Sequence, residues 1–311
     1  MMERGNQSLV NEFILSGFSI PPQLRVVLFP VFLVIYLITL FANSLIIAIV
    51  QTNPRLHSAM YFFLCNLSFL DLCFLTTEIP ICLKGFLLEK NTITYSGCVT
   101  QMYLGLALGV TECLLLAVMA LDRYYAICNP LNYQRVMSKA ACIKICIATW
   151  TSGFLISVIH VSFTITVPFC GHNKINHVVC EVLAVLRLAC IDIRLIEAVI
   201  SGVGVVVLLV PLSLIIFTYI HIISTILRMP TASGRHKAFS TCGSHLMVVT
   251  LFYGTTIDMY MSPRSMISME SEKVISVFYG LVTPALNPLI YTLRNKEVKE
   301  AVKKICSRNG D

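Results

Sequence analysis

Met119-Ala120-Leu121-Asp122-Arg123-Tyr124-Tyr125-Ala126-Ile127-Cys128-Asn129-Pro130-Leu131-Asn132-Tyr133 is the stretch whose reading decides the fold. An apolar run over 114–121 passes without a break into Asp122-Arg123-Tyr124. The helix-stopping pair Asn129-Pro130 follows about a turn and a half later. The stretch reads as the foot of a membrane helix, with a guanidinium where hydrocarbon gives way to water. Such an Arg can simply snorkel to the headgroups. It can also be held by a neighbouring acid in one state and offered to a partner in another. Both readings put a bilayer around the chain.

The rest of the sequence agrees. Of 311 residues 57% are hydrophobic and 13% charged, with a mean hydropathy of +0.81; soluble proteins carry about 25% charged residues. A span of about 20 apolar residues crosses a bilayer. Seven candidates stand out, at 26–50, 59–79, 98–126, 141–161, 198–227, 239–261 and 274–293, the fourth and seventh being the weakest. This predicts one all-α domain over 1–311: a tail at 1–25, a seven-helix bundle with loops at 26–293, and a final segment at 295–311. In that segment Val298, Val302, Ile305 and Cys306 share one side of a helix among lysines, which suits a helix lying on the membrane surface. Residues 1–24 lack an apolar stretch with a cleavage site, so the first span is expected to serve as the insertion signal.

Charge orients the bundle. With the amino terminus extracellular, the cytoplasmic segments hold 14 bases against four acids and the outer segments nine against eight. That asymmetry obeys the positive-inside rule, and it accounts for the overall charge without a nucleic-acid partner. The expected location is a lipid membrane crossed several times, with the carboxy terminus cytoplasmic. Asn6-Gln7-Ser8 is then a glycosylation sequon on the outer tail, whereas Asn66-Leu67-Ser68 falls inside the second span.

Four polar residues belong to the bundle interior: Asn43, Asp71, Glu112 and Asn287. Asp71 lies about 18 Å into its span and Glu112 about 16 Å before Arg123, counted from opposite directions, so both carboxylates reach similar depth. Each costs about 2.5–3.5 kcal/mol on insertion scales unless paired or protonated. They need a shared cation, protons, or both. No nucleophile with a base accompanies them, so no catalytic residue is assigned.

Four cysteines, Cys98, Cys170, Cys180 and Cys190, fall on outer segments and admit three pairings, with Cys82 as a competitor. A zinc site from Cys170, His172, His177 and Cys180 is the alternative to bridges. The loop at 162–195 is long enough to form a lid. Beneath it Gly105 and Gly109, four apart, leave space on one face of span three beside Leu106, Leu108 and Val110. Span five offers Val203, Gly204 and Val207; span six offers Tyr253, Thr256, Ile257 and Tyr260 on one stripe, a spacing equally suited to helix packing. Asp258 is either a counter-ion for a cationic ligand or an acid hydrated near the headgroups and paired with Arg264.

The quoted stretch closely resembles the end of the third helix in odorant receptors, a family of rhodopsin-like G-protein-coupled receptors. Leu56-His57-Ser58-Ala59-Met60-Tyr61-Phe62-Phe63-Leu64, Lys237-Ala238-Phe239-Ser240-Thr241-Cys242-Gly243-Ser244-His245-Leu246 and Pro284-Ala285-Leu286-Asn287-Pro288-Leu289-Ile290-Tyr291-Thr292-Leu293-Arg294-Asn295 resemble its other motifs, in order. The family usually has Gly where Ala42 stands and Pro where Ala59 stands, which puts local packing there in question. The resemblance implies a Cys98–Cys180 bridge, leaving Cys170 with Cys190 to close a 20-residue spacing worth roughly 3 kcal/mol.

It also implies a sodium ion near Asp71 and Glu112, with no other cofactor. A pocket for a small apolar odorant is expected in the outer third, lined by Gly105, Leu106, Gly109, Val110, Val203, Val207, Tyr253, Thr256, Ile257 and Tyr260. At the inner end, contact with an olfactory or stimulatory heterotrimeric G protein and a rise in cyclic AMP would involve Asp122, Arg123, Tyr124, Tyr219, Lys237, His245, Asn287, Pro288 and Tyr291. Because Arg235-His236-Lys237 is basic, Asp122 and Tyr219 are expected to hold Arg123. The carbonyl freed by Pro288 is expected to be served by Asn287 or water. A metabolite sensor outside smell is the alternative within the fold. A channel or transporter would need broken helices in matched halves or a continuous polar lining, and the sequence has neither.

Overall fold

The computed structural model describes residues 11–88, 90–261, 269–294 and 298, with the side chains of 55, 260, 261 and 292–294 excepted. Asn6, Arg264 and, apart from Val298, the surface helix expected over 295–311 lie outside these residues. Among them run seven helical rods. They are α1 (Pro22–Thr52), α2 (Ala59–Leu87), α3 (Tyr95–Cys128), α5 (Lys139–Ile165), α7 (Arg194–Leu227), α8 (Ala232–Met261) and a last rod of α9 (Met269–Val277), a π-helical turn (Phe278–Val282) and α10 (Thr283–Arg294). Two short helices lie in loops, α4 (Pro130–Val136) and α6 (Val182–Leu186).

Pro30, Pro80, Pro211 and Pro288 sit inside long helices. In a bilayer, neighbouring helices can re-satisfy the carbonyls that such prolines free. That is why α2 runs to Leu87 and does not stop at Pro80. Six of the rods are long and apolar enough to cross a membrane, and α8 is not among them. The sixth span, not the fourth or seventh, is therefore the least apolar. Part of its polarity turns inward, with Ser244, His245 and Thr256 buried. Large apolar side chains such as Phe41, Ile147 and Phe217 cover the outside, as lipid-facing residues do.

The tightest seam is between α3 and α5. A Cβ on Gly153 would lie 2.8 Å from the Ala107 carbonyl oxygen, so only glycine lets these backbones approach so closely. The main core, with Leu64, Leu67, Leu115, Leu116, Ile222 and Phe252 fully enclosed, fills the half of the bundle that contains Arg123.

At the other end, three strands depart from the all-helical expectation. β1 (Glu12–Leu15) pairs antiparallel with β2 (Asn91–Thr94) and parallel with β3 (Lys174–Ile175), in the order β2-β1-β3. Phe13 and Leu15 point into the core while Glu12 is exposed, a period of two over four residues. The tail thus clamps two loops together.

Candidate functional site

The lid is built by covalent and polar ties. Bridges Cys98–Cys180 and Cys170–Cys190 fasten 166–193 to the start of α3 and to itself. With these cysteines bonded, the zinc alternative has no ligand set, and no group of three His, Cys, Asp or Glu converges among the described residues. Cys82 stays a free, buried thiol. Gln101 accepts from the Cys180 backbone N–H at 2.9 Å, and Arg187 donates twice to Glu272 at the top of α9, at 2.9 and 2.8 Å. His177 is buried in the lid, 3.4 Å from Glu181. Burial pushes its imidazole down to about 4, so it is neutral at physiological pH.

Under this lid lies a cavity of about 150 Å³. Of the residues expected to line it, Gly105, Leu106, Gly109, Val110, Val207 and Thr256 do so, as does Gly204. Val203, Tyr253 and Ile257 are not in its wall; Tyr253 is turned below it and donates to the Cys113 carbonyl at 3.2 Å. For Tyr260 the backbone alone is described. Asp258 is exposed and outside the wall, which removes the counter-ion reading for it.

Two acids that sequence reasoning gave no role do face the cavity: Glu78 on α2 and Glu181 on the lid. A signal for Glu78 was available. Asp71 and Glu78 are seven apart on α2, and Gly105 and Glu112 are seven apart on antiparallel α3. Two turns on each helix therefore carry one level to the next.

The lower level is polar. Asn287 donates to both oxygens of Asp71, at 3.3 and 3.1 Å. It does not serve the carbonyl that Pro288 frees. That carbonyl, of Pro284, accepts from Asn43 at 3.3 Å, because the α1 side chain reaches it while Asn287 is committed to Asp71. Asn43 Oδ1, Glu112 Oε1, Asn287 Oδ1 and Tyr291 Oη are buried with no hydrogen-bond partner among the described residues.

At the Arg123 end, Asp122 is buried and does two jobs. It accepts from Arg123 at 2.6 Å and from the Tyr133 hydroxyl at 2.8 Å. Tyr133, ten residues past Arg123 in the opening stretch, had been given no role. Tyr219 does not reach Arg123. Its hydroxyl is 2.8 Å from His245 Nδ1, and His245 Nε2 lies 3.1 Å from the Leu116 carbonyl. A carbonyl only accepts, so Nε2 carries the proton and Nδ1 accepts from Tyr219. This relay ties α7, α8 and α3 together. Tyr124 is half-buried with its ring edge against His221, Tyr291 is buried, and Lys237 is exposed.

The family model described as olfactory receptor matches residues 32–309. Three human proteins show similarity along nearly the whole chain. Olfactory receptor 13C9 is 49% identical over 99% of this chain and 98% of its own length. Olfactory receptor 2G3 is 49% identical over 98% and 99%, and olfactory receptor 2K2 is 48% identical over 99% and 97%.

Proposed function

The chain belongs to the olfactory receptor family, and from that premise we propose that it binds a small, mostly apolar volatile in the cavity beneath the lid and signals through Arg123 at the opposite end. It is an odorant-type G-protein-coupled receptor of the plasma membrane, crossing the bilayer several times, and not an enzyme. The observation that carries the proposal is the cavity itself. An apolar cavity of about this volume holds a ligand the size of benzene, and its walls come from α2, α3, α7, α8, the last rod and the lid at once. A ligand there touches several helices and the lid together, so its fit depends on their relative positions. It can bias those states only by its difference in affinity for them.

The lid end faces outward and the basic end faces the cytoplasm, by the asymmetry of charge. In the resting state Asp122 holds Arg123, and the Tyr219–His245–Leu116 relay holds α7 and α8 against α3. Ligand binding favours loosening of these ties, which exposes Arg123 to a helix of a stimulatory heterotrimer and raises cyclic AMP. Surrounding lipids contact the apolar exterior.

Between the two ends, Asp71 and Glu112 would hold a sodium ion. The orphaned oxygens of Asn43, Glu112 and Asn287 make an all-oxygen donor set that fits a hard cation. The ion would supply the positive charge that two carboxylates at one depth lack.

Arg123→Ala is the test. We expect surface expression to persist and the cyclic-AMP response to an agonist to vanish. An unchanged response would rule the mechanism out.

A further inference from the structure

The cavity wall is apolar except for a few groups, and Glu78 stands apart among them. It is only 8% exposed, it lines the cavity, and its carboxylate has no hydrogen-bond or ion-pair partner among the described residues. The fold keeps a place for that carboxylate. A Cβ on Gly105 would lie 2.7 Å from Glu78 Oε1, so any larger residue at 105 would push it aside.

Glu181 enters the same cavity from the lid, next to a His177 that carries no charge. Arg187 donates to Glu272, and Lys273 to Glu270 at 2.8 Å. His160, also in the wall, has Nδ1 3.1 Å from the Ile156 carbonyl. Four aromatic rings, Phe32, Phe74, Phe252 and Tyr279, belong to the lining, with Tyr279 5.2 Å from Phe74 and 5.7 Å from Phe252. Aromatic faces attract cations. A carboxylate in such a wall must keep its proton or meet a cation, and the cavity of about 150 Å³ beside it is sized for a small ligand that carries one.

We propose that the cavity takes a small primary amine in its ammonium form, seated on Glu78, with Glu181 above it and the hydrocarbon part against the aromatic wall. This rests on the cavity being the ligand site. It deepens that reading by naming a chemical class: about one six-membered ring or its open-chain equivalent, bearing one positive charge.

The test uses the purified full chain in lipid nanodiscs and two probes of equal shape, cyclohexylamine, which is an ammonium ion at neutral pH, and cyclohexanol. Binding is read directly, as thermal stabilisation against probe concentration, so G-protein coupling does not enter. We expect the amine to bind at least about tenfold tighter than the alcohol. Glu78→Gln should weaken the amine about 100-fold and leave the alcohol unchanged, in line with the cost of leaving a buried charge unpaired. Glu181→Gln should weaken the amine about tenfold. Gly105→Ala, which crowds the carboxylate, should also weaken the amine selectively. If Glu78→Gln does not fold, the amine-to-alcohol ratio of the natural chain decides by itself. Equal binding of both probes, or a Glu78→Gln variant that still prefers the amine, overturns the amine proposal while the cavity keeps its role. Binding of neither probe overturns both.

Discussion

The two ends of the bundle are closed by different kinds of bond. At the lid end there are two disulfides, a three-stranded sheet and a two-point ion pair between Arg187 and Glu272. At the Arg123 end there are single hydrogen bonds: Arg123 to Asp122, Tyr133 to Asp122, Tyr219 to His245, and His245 to the Leu116 carbonyl. Covalent ties do not open on the timescale of signalling, whereas a net hydrogen bond contributes about 1 kcal/mol and a charge-assisted one about 1.5–3 kcal/mol. Loosening one or two such ties costs about the 1–3 kcal/mol that a ligand can supply by differential affinity. Under the proposed function, the contrast gives rigidity to the end that recognises a shape and reversibility to the end that changes one.

The sharpest way to break this contrast is at the bridge. Cys98→Ser opens a connection spanning 82 residues. Loop entropy gives about 4.5 kcal/mol for that length. We expect loss of most surface-displayed receptor and a large drop in the thermal midpoint. A variant that reaches the surface and binds normally would show that the sheet and ion pair suffice.

The next effect is set by pH. His177 is neutral when folded, with its value lowered from the ordinary 6.5 to about 4 by burial. The unfolded chain takes up a proton near 6.5 and the folded lid does not. Stability from this residue is therefore fully present above about 6.5 and lost as pH falls toward 4, by at most about 3 kcal/mol. Thermal midpoints between pH 7 and pH 4.5 should fall for the natural chain and fall less for His177→Gln. Parallel curves would place the acid sensitivity elsewhere.

How the two ends could be read from sequence differs as well. The Arg123 end was legible because its residues are close in the chain: Asp122, Arg123 and Tyr133 lie in one stretch, and His245 sits in a single motif. What could not be read there was the partner of Tyr219, since it depends on how α7 and α8 rotate against each other. The lid end joins residues far apart: β1 pairs with β2 across 76 positions at Leu15↔Asn91 to 82 at Glu12↔Thr94, and with β3 across 160 at Ile14↔Lys174. A four-residue strand gives too short a period to register in a tail. Seven rods were expected from the sequence, yet hydropathy alone ranks α8 below a membrane span, because it counts Ser244, His245 and Thr256 as polar and does not see that they are buried against inward partners. Glu78 was visible as an acid in a span, but its role needs Gly105 opposite it.

At the Arg123 end the larger effect belongs to the charged tie. Asp122→Asn keeps the shape and can still accept from Tyr133, but removes the negative charge that holds Arg123. A loss within the range of about 1.5–3 kcal/mol should raise basal nucleotide exchange on a stimulatory heterotrimer at least about tenfold. Basal exchange at or below that of the natural chain would mean that Asp122 supports the active state and does not restrain it.

The smallest expected effect probes the relay. Tyr219→Phe deletes one hydroxyl and keeps the ring stacked on His245, whose centroid is 5.7 Å away at an interplanar angle of 10°. One neutral hydrogen bond is worth about 1 kcal/mol, so basal exchange should rise about fivefold. His245→Phe removes the bond to Tyr219 and the bond to the Leu116 carbonyl together, and should raise it further. If the two side chains act as one latch, adding Tyr219→Phe to His245→Phe changes little more, because the hydroxyl has already lost His245 and keeps only a long 3.5 Å approach to the Cys242 carbonyl. Additive effects in that double variant would mean that Tyr219 restrains α7 through another contact, and the relay across three helices would reduce to the single bond from His245 to α3.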